Sequence, residues 1–140
     1  MKIAFDEHVP PEMITPVQML LETKTGIEVV KARDYSEPPA RSDVPWLAKF
    51  AADGGRVVVT GDRRMRSRLD EQAALKELGL IVFFFPSVWN NWNMTDKCAF
   101  LLKWWPSIVA KAQQSKPRDF WEMKLSWTQT GEFKNVASQA

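Results

Sequence analysis

The stretch RVVVTGDRRM, residues 56–65, carries three valines into a threonine, a glycine and an aspartate, and then turns basic at once. Valine is stiff at χ1 and packs well on a pleated surface, so Arg56 to Gly61 reads as a strand. No polar side chain interrupts Val57, Val58 and Val59, which predicts burial on both faces. A strand buried on both faces belongs to a parallel sheet with helices on each side. The strand stops at Asp62, and Arg63, Arg64, Arg66 and Arg68 follow within six residues.

The segments around this stretch alternate in the same sense. Upstream, DVPWLAKFAADGG reads as a helix that starts at Ser42 or Asp43, ends at Gly54 and Gly55, and buries Leu47, Phe50 and Ala51. Before it come a strand from Lys2 to Asp6, a helix in fragments from Glu12 to Thr23 interrupted by Pro16, a strand from Ile27 to Ala32, and a proline-rich loop. Downstream, a helix runs from Asp62 to Leu78 and stops at Gly79; LIVFFF then forms a strand that stops at Pro86. A long helix follows from Thr95 to Gln114, with apolar residues at helical spacing and a kink expected at Pro106. In the tail Trp121, Met123, Leu125 and Trp127 alternate with polar residues, and QTGE has the composition of a hairpin turn. The expected fold is α/β: three layers, α/β/α, around a central, mainly parallel sheet, with a Trp-rich C-terminal helix and β-hairpin extension. The 140 residues are expected to form one domain, residues 1–86 carrying the core motifs and 87–140 the helix and hairpin.

Composition narrows the function classes. Hydrophobic residues at 45% exclude a disordered chain, and a net charge of +2 excludes a global basic field. Nucleic-acid binding would rest on a local patch, which the four arginines provide. Cys98 is the only cysteine, so neither an intrachain disulfide nor a multi-cysteine zinc site can form. A reducing cytoplasm fits. The opening residues MKIAFDEHVPP lack the apolar run of a secretory leader, and the longest apolar run, about six residues, is far short of a membrane span. The seven tryptophans suggest large apolar contacts, inside the molecule or with a partner such as a second copy of the chain.

Ligands of a parallel sheet bind beyond the carboxyl ends of the strands. Asp6 ends the first strand and Asp62 follows the third. The helix led by Asp43 runs antiparallel to the third strand, so its start lies at the same edge. Asp43 also shares the inward stripe of Leu47 and Phe50. Connectivity thus converges three carboxylates on one rim, where their repulsion calls for a cation. Carboxylates without histidine or cysteine partners favour Mg2+ or Mn2+. Such ions polarise a phosphodiester and generate hydroxide. Arg63 and Arg64 are placed to hold flanking phosphates.

Together these residues resemble the PIN-like domain family, the ribonuclease fold of VapC-type toxins, and in particular its short branch opening with DEH or DEN. IAFDEHVPP resembles the family's first strand with its leading aspartate; SDVPWLAKFAADGGRVVVTGD resembles its aspartate-led helix and the strand ending in Thr-x-Asp. The resemblance covers about residues 1–86 and implies metal-dependent cleavage of RNA, with Asp6, Asp43 and Asp62 as metal ligands and catalytic residues and Thr60 at the Thr-x-Asp threonine, on the substrate side. A further family acid has Glu37 or Glu12 as its counterpart here, and Glu37 would stand behind the ligands. Glu7, next to Asp6 and on the other face if the strand continues, reads as solvated or as standing behind the ligands. The resemblance also implies a cognate antitoxin protein and dimerisation.

Plainer roles stand beside these. Asp6 also reads as a strand-end cap, Asp43 and Asp62 as helix N-caps, the arginines as a solvated helix face, and Thr60 as a β-branched strand residue. His8 reads as a loop residue and Cys98 as core. A phosphoacceptor receiver domain also has acids after its first strand and an aspartate after its third; Ser87 and Lys116-Pro117 imitate its remaining hydroxyl and lysine. A catalytically inactive PIN-like protein that binds a partner is a third reading.

Overall fold

The structure is a computed structural model that describes residues 1–6, 9–21, 26–35 and 44–136, without the side chains of Leu20, Leu21 and Arg64. Six strands form one sheet: β1 (Lys2–Phe5), β2 (Glu28–Lys31), β3 (Gly55–Thr60), β4 (Ile81–Phe84), β5 (Phe120–Met123) and β6 (Phe133–Asn135), in the order β2-β1-β3-β4-β5-β6. All neighbours are parallel except β5 and β6. Five helices among the described residues cover it: α1 (Pro11–Leu21), α2 (Val44–Ala52), α3 (Arg64–Ser67), α4 (Leu69–Glu77) and α5 (Met94–Gln114).

The strand side chains alternate between two cores, as a period of two requires. Ile3, Phe5, Val57, Val59, Ile81 and Phe83 face α1 and α5, where they meet Met13, Ile14, Val17, Phe100, Trp104, Trp105 and Ile108. Ala4, Val58, Val82, Phe84 and Phe120 face the other way, onto Trp46, Leu47 and Phe50 of α2, Met65 of α3 and Leu75 of α4. The expected three layers are therefore present. Four of the seven tryptophans, Trp46, Trp89, Trp104 and Trp105, are fully buried, so most of the indole surface is internal packing.

Several elements differ from the sequence expectation. α1 is unbroken through Pro16; the helix is held by the burial of Met13, Ile14 and Val17, which outweighs one lost backbone bond. Its expected end at Thr23 lies outside the described residues. α5 likewise continues through Pro106, which sits on the exposed side, where the freed carbonyl of Leu102 can turn to water. The helix expected from Asp62 to Leu78 is two helices. Arg68 between them is extended, with φ −76° and ψ 123°. On one straight helix Met65 and Leu75 would point about 80° apart. The break lets both enter the core and leaves Leu69 81% exposed.

The tail strand ends at Met123, before Leu125 and Trp127, which are exposed. β5 pairs in parallel with β4, and β6 returns antiparallel along it as the expected hairpin, after a turn at Gly131, φ +110°. No helix among the described residues is long and apolar enough to cross a membrane.

Candidate functional site

β1 has β2 on one side and β3 on the other, so the chain leaves it in opposite directions. That reversal opens a crevice at the carboxyl ends of β1 and β3, where doubly wound sheets bind their ligands. Asp6, Thr60 and Asp62 occupy this crevice. The backbone N–H of Asp6 still donates to the carbonyl of Val59, 3.3 Å away, so β3 fixes the aspartate at its root. Asp6 is 2% exposed, Asp62 7% and Thr60 0%.

Thr60 connects the two acids. Its hydroxyl donates to Asp6 Oδ2 and accepts from the backbone N–H of Asp62 at 2.9 Å. A hydroxyl has one proton to give, so Asp6 Oδ2 must accept. Thr60 thus lies beneath the acids, with its hydroxyl committed on both sides.

The turn after β3 is tightly enclosed. A Cβ on Gly61 would lie 2.7 Å from Trp89 Cζ3 and 3.0 Å from Asn90 Oδ1. The Asn90 side chain donates to the Gly61 carbonyl at 2.9 Å. Trp89 is itself stacked on Phe85, with ring centroids 4.0 Å apart. The turn therefore needs glycine for close approach, and the wall behind it is rigid. The carbonyl of Asp62 accepts from the N–H of Met65 at 3.2 Å and opens α3.

Arg63 and Arg66 both reach toward β5. Arg63 Nη1 lies 2.5 Å from Glu122 Oε1 and 3.5 Å from the Phe85 carbonyl; Arg66 Nη1 lies 3.4 Å from Glu122 Oε2, and its guanidinium is 6.0 Å from the centre of the Phe84 ring. Arg68 leaves this group for Glu71, at 3.4 Å. On the far flank of Asp6 a small cavity is lined by Val9, Ile14, Lys31 and Arg33. Cations therefore stand on both sides of the buried acids.

Glu122 is the site residue that sequence reasoning missed. Alternation marked its segment as a strand, and put Glu122 on the face of Phe120. Nothing local said that this strand would lie parallel to β4, 59 positions after Arg63.

Asp43, Glu7, His8 and Glu37 lie outside the described residues, as does the Arg64 side chain. Glu12 is exposed in the first turn of α1. Among the described residues no three acids, histidines or cysteines gather as a metal set. Asp6 and Asp62 offer hard oxygen donors at one crevice, a partial set that suits Mg2+ or Mn2+ rather than zinc.

The receiver reading loses its lysine. Lys116-Pro117 precedes β5 and so lies at the amino ends of the strands, across the sheet from Asp62.

A protein-family model described as PIN like domain matches residues 1–87. No curated protein and no solved structure matches the chain.

Proposed function

Because the chain belongs to the PIN-like domain family, we propose that it is a metal-dependent endoribonuclease using Mg2+ or Mn2+. PIN-like domains are generally nucleases and typically depend on divalent metal ions. The observation that carries the reading is the burial of Asp6 and Asp62, 56 positions apart in the chain, around one threonine hydroxyl at the sheet's reversal point.

In this reading Asp6 and Asp62, joined by Asp43, hold the metal and are the catalytic residues. Thr60 acts as a positioning residue, keeping Asp6 in one orientation. Glu7 and Glu37 stand behind the ligands. Arg63 and Arg64 hold the RNA backbone, and Lys31 and Arg33 give the strand a second basic bank. A divalent ion, when bound, supplies hydroxide from water and positive charge for the phosphodiester. The resemblance to VapC-type toxins extends the proposal to a toxin acting in the cytoplasm, with an antitoxin protein that covers the crevice, and to a homodimer.

The test is cleavage of RNA by the purified protein with and without Mn2+. Asp6→Asn and Asp62→Asn are expected to abolish metal-dependent cleavage while the protein stays folded by circular dichroism. An Asp62→Asn protein that cleaves as fast as wild type overturns the assignment.

A further inference from the structure

Glu122 is in an unusual electrostatic position. Its two oxygens are divided between Arg63, at 2.5 Å, and Arg66, at 3.4 Å. Lys134 stands directly opposite it on β6, so a third cation shares the same face of the sheet. The cluster is also reachable, since the Arg63 side chain is 39% exposed while Glu122 is 17% exposed. A groove lined by Val88, Glu122, Lys124, Leu125 and Lys134 opens beside it, large enough to receive part of a nucleotide. The groove is built mainly by residues beyond the family region, which ends at residue 87.

We infer that Arg63, Arg66 and Lys134 form a binding site for a backbone phosphate of a single-stranded RNA flanking the scissile bond, and that Glu122 is the internal anion this phosphate competes with. The inference rests on the nuclease reading for the identity of the strand. A guanidinium presents two parallel N–H groups and serves carboxylate and phosphate alike. In the free protein Glu122 keeps the two arginines extended toward β5. The arriving phosphate takes the exposed edge of Arg63, and the carboxylate falls back on Arg66 and Lys134. Arg63 directly follows Asp62, so a phosphate held there continues into the acidic crevice. Glu122 is thus a positioning residue that sets how tightly, and at what salt concentration, the strand is held.

The experiment measures fluorescence anisotropy of a labelled single-stranded RNA in EDTA, where no metal-dependent cleavage occurs, across a range of salt. Glu122→Gln removes the competing charge while keeping shape. It is expected to bind the RNA about three- to tenfold more tightly, with a log–log salt slope steeper by about 0.7, the value for one more phosphate contact on a single strand. Arg63→Gln is expected to weaken binding and flatten the slope by a similar amount. Folded Glu122→Gln protein that binds no tighter than wild type overturns the inference. If Glu122→Gln does not fold, Arg63→Gln and Lys134→Gln decide it, and unchanged affinity in both overturns it. The nuclease reading is scored separately, by cleavage with Mn2+. Wild-type cleavage without tighter Glu122→Gln binding sinks only this inference; tighter binding without any wild-type cleavage sinks only the nuclease.

Discussion

Asp6 and Asp62 are joined through a single hydroxyl: Thr60 donates to Asp6 Oδ2 and accepts from the backbone N–H of Asp62. Asp6 directly follows β1, and Asp62 lies in the turn between β3 and α3. The last residue of β3 therefore ties the Asp6 carboxylate to the backbone of Asp62.

Thr60→Val keeps the shape and removes the hydroxyl. It leaves a buried carboxylate oxygen and a buried N–H without this partner, at a cost of about 1–3 kcal/mol. Metal-dependent cleavage is expected to fall about 10–100-fold, the range for losing a residue that orients a metal ligand. Thr60→Ser is expected to restore most of both. Urea unfolding and cleavage rates measured on the same preparations check this.

Gly61→Ala pushes a methyl group against Trp89, which cannot yield because it is stacked on Phe85. The expected loss is about 1–3 kcal/mol from overpacking. Trimming the opposing ring with Trp89→Leu is expected to shrink the penalty of the alanine, so the two changes should be non-additive. A double-mutant cycle in urea reads the coupling.

The break at Arg68 makes two neighbouring apolar residues unequal. Met65 is fully buried and Leu69 is 81% exposed. Met65→Ala is expected to cost about 2–5 kcal/mol, whereas Leu69→Asp should stay within about 0.5 kcal/mol of wild type. Equal losses in thermal or urea unfolding would mean that one continuous helix buries both.

Stability should respond to pH at the opposite edge of the sheet. The Tyr35 hydroxyl donates to Asp53 Oδ2 at 2.6 Å, and Lys2 Nζ lies 2.9 Å from the same oxygen. The hydrogen bond from Tyr35, and then Lys2, hold the Asp53 carboxyl below its ordinary value of 3.8. A lowered folded pKa stabilises the protein above 3.8, and the stabilisation disappears as pH falls through the folded value. Tyr35→Phe is therefore expected to be less stable than wild type at neutral pH, with the gap closing below about pH 3.8. Unfolding curves of both proteins from pH 7 downward measure it.

Much of this was legible in the sequence, for a physical reason. A fully apolar strand such as Val57–Val59 can only sit inside a covered parallel sheet, and a residue at its end can only lie at the rim. Asp6, Thr60 and Asp62 follow from that logic without any knowledge of contacts. What depends on long-range pairing was not legible. The role of Glu122 requires β5 to dock parallel to β4, and alternation in FWEM carries neither direction nor partner. The helix break at Arg68 is a compromise between two burial sites, which local propensity does not encode. The lining of Asp6 by Lys31 and Arg33 likewise appears only once β2 takes its place beside β1.

The most direct measurement is the anomalous signal of manganese in a crystal of the protein soaked in that ion. One strong peak within bonding distance of carboxylate oxygens of both Asp6 and Asp62 is expected, about 2.1–2.3 Å away, as for a hard cation of this size. A crevice that stays empty at saturating manganese, with Asp6 and Asp62 bonded only to protein atoms, would contradict the account and leave a partner-binding protein on a nuclease scaffold.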